Sequence, residues 1–411
     1  MTKLNKQVLI ILLLYFSFFV SFYFEEDILG GAKHDFEFHE IFIINFAQNF
    51  KFTLFNYGYD ELYARNFPTF YILTSILYKI GLTIDQIRFL NIFFIIPFII
   101  IFYKALDYSE LNIEKKYKYL FIVALLLSPT IRSLAIWPYP LLWAYLFFLI
   151  STLFFLKFKK IKIYKEKIKY CFLNIIFFTI ACYLTPNLSF FVFFYVFYYF
   201  KFFRVSKITL FICVTYVLLA LPAIFFLIET EFYILKNDYP FATINLNYSN
   251  KIVLISSLIL FYFLPFISVK KLKKISTKLN YKYLFFLGLF CITNVFFFNF
   301  QNNAGGGIFF HLSTKLFNNF YLIYFVFILS ILMMYLVKLI NLNNLILYGI
   351  LIFYNSQYTI YHKYFDPLLM IVFLLLFKLD TKYINNNKFV GINYICLYIF
   401  LIVTNLVKNY I

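Results

Sequence analysis

Apolar runs of about 20 residues recur along the whole chain, and this spacing constrains its fold more than any other feature. Such a run matches the thickness of a bilayer, in which a helix satisfies every backbone hydrogen bond within itself. The chain is 64% apolar and only 13% charged, unlike a typical soluble protein. The sequence therefore predicts an all-α integral membrane protein and excludes a soluble enzyme.

The distribution of basic residues predicts the orientation of the spans. The chain has 37 Lys+Arg and 18 Asp+Glu, a net charge of +19. Lysine-rich segments such as 157–169 and 270–282 belong on the inner side of the membrane. About thirteen spans satisfy this rule, with the N-terminus cytoplasmic and the C-terminus outside. The basic charge is then a topology signal that also favours anionic membrane lipids, and no nucleic-acid partner is expected.

The pattern predicts one transmembrane domain over residues 1–411. The first apolar run, Val8 to Phe24, is followed by acidic residues instead of a small-residue cleavage site, so we expect a retained span. Residues 25–87 form the first outer loop, and 88–411 hold the remaining spans. Within that loop, 67–81 is apolar but only marginally long enough to cross, and counting it as a span would move the lysine-rich segments outside. We predict that it is an interfacial helix with Pro68 in its first turn.

The first outer loop contains HDFEFHE, residues 34–40, in which five of seven residues are ionisable. The apolar spacing that follows predicts a helix from Phe36 to Phe50. Asp35 and His39, four residues apart, then share one face, while Glu37 and Glu40 point elsewhere. A carboxylate fixed beside a histidine is suited to accept a proton from a hydroxyl. The alternative is an acidic helix N-terminus that complements the helix dipole.

Other outer segments carry basic and glycine-rich motifs next to span ends. Arg132 lies in SPTIRSLAIWPYP, Lys315 in NNAGGGIFFHLSTKLFNN, and His362 with Lys363 in YHKYFDP. Together these cations are candidates to bind a lipid phosphate, although each alone also fits a residue that anchors a span end. The triple glycine within the second motif leaves backbone N–H groups open to an anion, or forms a flexible turn.

Nucleotide chemistry on the inner side is not expected. The phosphate-loop spacing, GxGxxG, HExxH and GxSxG are all absent from the sequence. The inner loops are short and lysine-rich, with no acidic pair to hold a metal–nucleotide complex.

The outer-loop motifs resemble those of a known superfamily. The string Asp35-Phe-Glu-Phe-His39, followed by IFIINFAQNF, NFPTFYILTSILYKIG and IRFLNIFF, resembles the first outer loop of GT-C glycosyltransferases. It is most similar to the dolichyl-phosphate-glucose glucosyltransferases and their bacterial relatives, which carry an Asp four residues before a His and then a Pro-led hydrophobic helix. AGGGIFFHLSTKL and YHKYFDPLL resemble later motifs of that family, so the resemblance runs from residue 8 to about 378. The chain departs from the pattern at Phe36, where the family usually has a second acid.

The resemblance implies a GT-C fold and a membrane enzyme of the bacterial inner membrane, with its active site facing the periplasm. The sugar would pass from a polyprenyl phosphate to a glycan acceptor by an inverting displacement, with Asp35 as general base and no metal or other cofactor. Candidate catalytic residues are Asp35, Glu37, His39 and Glu40. Candidate ligands of the donor phosphate are Arg132, Lys315, His362 and Lys363. Candidate substrate contacts are Tyr57, Tyr59, Trp137, Gly305, Gly306, Gly307 and His311.

Two other functions fit a chain of this kind. A surface-polysaccharide polymerase or ligase also acts on lipid-linked sugars at the outer face, but such proteins tend to have their large outer loops in the second half of the chain. A lipid-linked-sugar flippase or transporter is expected to have interrupted helices or ionisable groups deep in its spans. Here the charges lie near span ends.

Overall fold

The computed structural model describes residues 3–29, 31–57, 66–231, 247–268, 280–301, 305–337, 339–355, 357–380, 382 and 384–410. These residues are mostly helical, and no strand occurs among them. The predicted all-α class is therefore confirmed. Contacts divide the chain into two compact units, Met1–Tyr239 with Ile395–Ile411, and Pro240–Tyr394.

Twelve α-helices are described before residue 240. They are α1 Lys3–Tyr23, α2 Ala32–Gln48, α3 Phe50–Phe55, α4 Thr69–Lys79, α5 Ile84–Ile92, α6 Ile95–Leu106, α7 Lys115–Leu127, α8 Pro129–Ile136, α9 Pro140–Lys160, α10 Tyr164–Leu184, α11 Val192–Phe203 and α12 Lys207–Glu229. The described helices after that point are α13 Tyr248–Phe263, α14 Tyr281–Phe296, α15 Gly307–Phe317, α16 Tyr321–Leu336, α17 Leu342–Tyr354, α18 Leu368–Leu375 and α19 Asn387–Tyr410.

Seven helical segments in the described part of the chain are long and apolar enough to cross a membrane. They are Lys6–Tyr23, Ile84–Leu106, Pro140–Lys160, Tyr164–Leu184, Lys207–Glu229, Tyr248–Phe266 and Asn387–Leu406. These segments support the membrane class. The count of thirteen crossings stays a prediction, because α14, α16 and α17 are shorter apolar helices and α18 has only 8 residues.

One of the about thirteen predicted spans covers residues 118–134, and the structure breaks it near its middle. Helix α7 ends at Leu127, and α8 leaves it at an angle of 59°. The Oγ of Ser128 accepts a hydrogen bond from the backbone N–H of Ile131, which caps α8. Pro129 follows as the first residue of α8, where its missing N–H costs nothing. The sequence Ser-Pro thus starts a new helix instead of continuing the old one.

Residues 25–87, the predicted first outer loop, contain the two predicted short helices. The helix expected at 36–50 is α2, which begins at Ala32 and ends at Gln48. It stops there because the Asn49 side chain accepts from the N–H of Phe52 and so caps α3. The helix expected at 67–81 is α4, and Pro68 lies just before its first residue.

Helix α4 is too short to cross a bilayer. It has 11 residues, and at about 1.5 Å per residue it is roughly half as long as the hydrocarbon core is thick. Helix α2 packs against α4. In the sequence, both lie between α1 and the long apolar segment Ile84–Leu106.

Candidate functional site

The N-terminus of α2 is capped by Asp27. Its Oδ2 accepts hydrogen bonds from the backbone N–H groups of Gly31 at 2.8 Å and Lys33 at 3.2 Å. The alternative to catalysis for HDFEFHE is an acidic helix N-terminus that complements the helix dipole. Asp35 lies in the first turn of α2 and fits this alternative, whereas the capping hydrogen bonds come from Asp27, outside the cluster.

Asp35 and His39 share the packed face of α2, as the spacing predicts. Asp35 is half-buried, and His39 is buried. The Nδ1 of His39 lies 2.7 Å from the hydroxyl of Tyr71 on α4, and the two rings stack at 5.4 Å. The ring of Tyr139 meets His39 edge-on at 4.6 Å. These contacts hold the imidazole in one orientation close to the half-buried carboxylate.

Glu37 and Glu40 lie on another face of α2, which borders a cavity of about 400 Å³. The cavity lies wholly within the first unit. Its charged lining residues are Glu25, Glu37, Glu40, Asp85, Lys33 and Arg88. The HDFEFHE cluster is therefore divided, with Asp35 and His39 on the packed side and the two glutamates on the cavity side.

Arg88 is the most deeply buried of the charged lining residues, and sequence reasoning did not predict it as a site residue. It is 6% exposed, and its guanidinium carbon lies 3.8 Å from the ring centroid of Trp137, which is a cation–π contact. Its Nη1 donates to Asp85 at 2.7 Å. Neither its Nε nor its Nη2 has a hydrogen-bond partner among the described residues. The pair Asp85 and Arg88 at the start of an apolar run was the available sequence signal.

Arg132, a predicted phosphate ligand, is held in a buried network. Its guanidinium donates to the hydroxyls of Ser17 and Ser21 on α1 at 2.9 and 2.5 Å. It also donates to the Glu26 carboxylate at 3.0 Å. The Nε1 of Trp137 donates to the carbonyl of the same glutamate at 3.0 Å. These contacts join α1 to α8 and already use both terminal nitrogens of the arginine.

Glu25 at the cavity rim is paired with Lys33 at 2.5 Å. That hydrogen bond and the lysine charge lower the pKa of Glu25, and the charge of Arg88 adds to the effect. Both partners are about half exposed, so the pair lies where solvent weakens it.

The aromatic residues among the predicted substrate contacts have different environments. Tyr57 is completely buried, and its hydroxyl donates to the carbonyl of Asn66 at 2.7 Å. Its ring packs in the core against Phe42 on α2, so it faces no surface. Trp137 lines the cavity but is covered by Arg88. Tyr59 lies outside the described residues.

In the second unit the triple glycine forms a tight turn before α15. Gly305, Gly306 and Gly307 all have positive φ angles. The N–H of Gly306 donates to the carbonyl of Ile360 at 2.9 Å, and a Cβ on Gly305 would lie 2.9 Å from that same oxygen. The run is thus required by a close approach of two backbones, and at least one of its N–H groups is already used.

That approach brings the glycine turn next to the YHKYFDP motif. The Nε2 of His362 lies 2.8 Å from the hydroxyl of Tyr262. Burial lowers the pKa of His362, and the nearby Asp366 carboxylate opposes this effect. Lys363 lies over the rings of Tyr361 and Tyr364.

The other two predicted residues of this unit lie on α15. Lys315 is exposed in its last turn. His311 is half-buried beside Phe310, with 5.9 Å between ring centroids.

The predicted residues therefore form two groups. One is built on α2 in the first unit, and the other joins the glycine turn to His362 in the second. Within the described ranges, no three His, Cys, Asp or Glu side chains are arranged to hold a metal ion. Comparison with models of protein families, with curated proteins and with solved structures finds no match to this chain.

Proposed function

We propose that this chain is a membrane glycosyltransferase of the GT-C type. It moves a sugar from a polyprenyl phosphate to a hydroxyl of a glycan acceptor at the outer face of a bacterial inner membrane. The observation that carries the proposal is the packed face of α2, where a half-buried Asp35 lies one helical turn from a buried, oriented His39. Short helices that carry acids between long apolar helices are also what the resemblance leads us to expect.

In the proposed reaction the acceptor oxygen attacks the anomeric carbon of the donor sugar. The bond from that carbon to the phosphate oxygen breaks, and the configuration inverts. Asp35 takes the proton of the attacking hydroxyl, and polyprenyl phosphate leaves with the bonding electrons. His39, held by Tyr71, positions Asp35 and the acceptor.

The leaving phosphate needs positive charge nearby. The candidates that the sequence offers are Arg132, Lys315 and Lys363, of which Arg132 already bonds to Glu26. A neutral His362, which its lowered pKa favours near neutral pH, contributes a hydrogen bond.

The proposal is tested by supplying the purified full chain in lipid nanodiscs with a panel of polyprenyl-phosphate sugars. Mass spectrometry would detect transfer to a glycan acceptor. We expect one donor to be consumed, and Asp35→Asn to slow transfer by roughly 10²- to 10⁴-fold, the usual contribution of a general base. The matched control is Glu114→Gln, which removes an exposed carboxylate paired with Lys116. If the wild-type chain uses no donor, or Asp35→Asn transfers at the normal rate, the proposal is wrong.

The phosphate role has its own test. If the sequence-based assignment is right, Lys315→Gln and Lys363→Gln should each raise the KM for the donor several-fold, because each removes a positive charge that would bind the donor phosphate. The KM for the acceptor should not change. Unaltered donor KM in both variants would contradict the role.

A further inference from the structure

The cavity beside α2 lies on the side of the helix away from Asp35. Phe36, Glu37 and Glu40 line it, whereas Asp35 and His39 do not. Asp35 is not among the residues that line the cavity, so a ligand in it does not lie against the proposed base. Such a ligand would be a non-reacting part of the substrate.

Arg88 indicates that the cavity is built for a polar ligand. An arginine that is 6% exposed normally satisfies its donors, since an unpaired buried donor is costly. Here Nε and Nη2 lack partners among the described residues, although Trp137 and Asp85 hold the side chain in place. Both nitrogens are themselves covered, so an oxygen-bearing ligand would supply the missing partners once the guanidinium turns toward the cavity.

The charges exclude one class of ligand. Four carboxylates and two cations line the cavity, so an anion would meet net negative charge. Lys33 and Arg88 are each already paired with a carboxylate. The cavity thus disfavours phosphates and acidic sugars, while its carboxylates accept hydrogen bonds readily from hydroxyl or ammonium groups.

We propose that this cavity binds a non-reacting, uncharged or amine-bearing sugar unit of the acceptor glycan. Glu37 and Glu40 accept hydrogen bonds from its hydroxyl or amino groups, and Arg88 donates to its oxygens. Since Arg88 covers Trp137, recognition is by hydrogen bonds and charge instead of ring stacking. The identification of the sugar as part of the acceptor rests on the proposed transferase function, whereas the charge preference rests on the cavity alone.

The test measures direct binding of soluble sugars to the full chain in nanodiscs by saturation-transfer NMR. The probes are methyl glucoside, glucosamine, glucuronate and glucose 1-phosphate. We expect the first two to bind, and the two acidic sugars to bind roughly tenfold or more weakly. Equal binding of glucuronate and methyl glucoside, or no binding of any sugar, overturns the proposal.

Two variants locate the binding. Arg88→Met should abolish sugar binding. The double variant Glu37→Gln/Glu40→Gln should reduce the ratio of the affinities for methyl glucoside and glucuronate several-fold. Glu37 is exposed and Glu40 half-buried, and neither is paired with Arg88, so the double variant keeps the test valid if Arg88→Met fails to fold. Glu114→Gln is again the control and should leave binding unchanged. Sugar binding that neither cavity variant alters contradicts the assignment.

The outcomes separate this inference from the transferase proposal. Charge-selective sugar binding without transfer from any donor would leave the cavity site standing and remove the enzyme. Sugar transfer without cavity-dependent binding would leave the transferase proposal standing and remove the cavity site.

Discussion

The two faces of α2 carry similar ionisable residues with different neighbours. On one face His39 is buried against Tyr71 and Tyr139, and half-buried Asp35 lies one turn away. On the other, Glu37 and Glu40 border an open cavity with a buried arginine behind it. The first face fixes its groups in position, which suits proton transfer, whereas the second presents hydrogen-bond acceptors to a ligand. The predictions that follow test whether this division is real.

The largest expected effect on stability is at His39. His39→Ala should lower the free energy of unfolding by about 2–3 kcal/mol, because it leaves a void and removes the partner of the Tyr71 hydroxyl. Glu40→Ala should change it by less than about 0.5 kcal/mol. Denaturant titration in detergent micelles measures both. Equal losses in the two variants would show that the faces do not differ.

A smaller effect is expected at Tyr71. Tyr71→Phe keeps the ring stacked on His39 but removes the hydroxyl, which should cost about 1 kcal/mol. The same titration applies, with Tyr78→Phe on the same helix as the control. A loss as large as that of His39→Ala would mean that the hydroxyl, and not the packing, holds this face.

The smallest effect concerns the cavity rim. Lys33 lowers the pKa of Glu25 in the folded state, so this pair adds stability above the unfolded pKa of the glutamate and loses it as pH falls through the folded value. Lys33→Gln should raise the Glu25 pKa toward its ordinary value and flatten this acid-side dependence. NMR titration of the carboxyl group measures the change, and an unchanged pKa would show that the pair does not form in solution.

The sequence predicts the packed face better than the cavity. Helical spacing alone places Asp35 and His39 together, and the apolar run led by Pro68 predicts α4. The break at Ser128 was also readable, because Ser-Pro is a strong start signal for a helix. The apolar character of residues 118–134 nevertheless favours one continuous span, so the break was not predicted.

Arg88 and Arg132 show what the sequence could not provide. Both occur near apolar runs, yet Arg132 has Glu26 and two serines as partners, while Arg88 lies on Trp137 beside a cavity. These partners are distant in the chain, so no local pattern separates a structural arginine from a binding one. The prediction that Tyr57 contacts the substrate has the same weakness, because only tertiary packing buries its ring.

Steady-state kinetics on the active donor and acceptor test the central claim most directly. If the packed face performs the chemistry and the cavity face binds, Asp35→Asn should lower kcat by at least about 10²-fold with little change in the KM for the acceptor. Glu37→Gln/Glu40→Gln should raise that KM while leaving kcat near the wild-type value. A normal kcat in Asp35→Asn together with a collapsed kcat in the double variant would contradict the account and move the chemistry into the cavity.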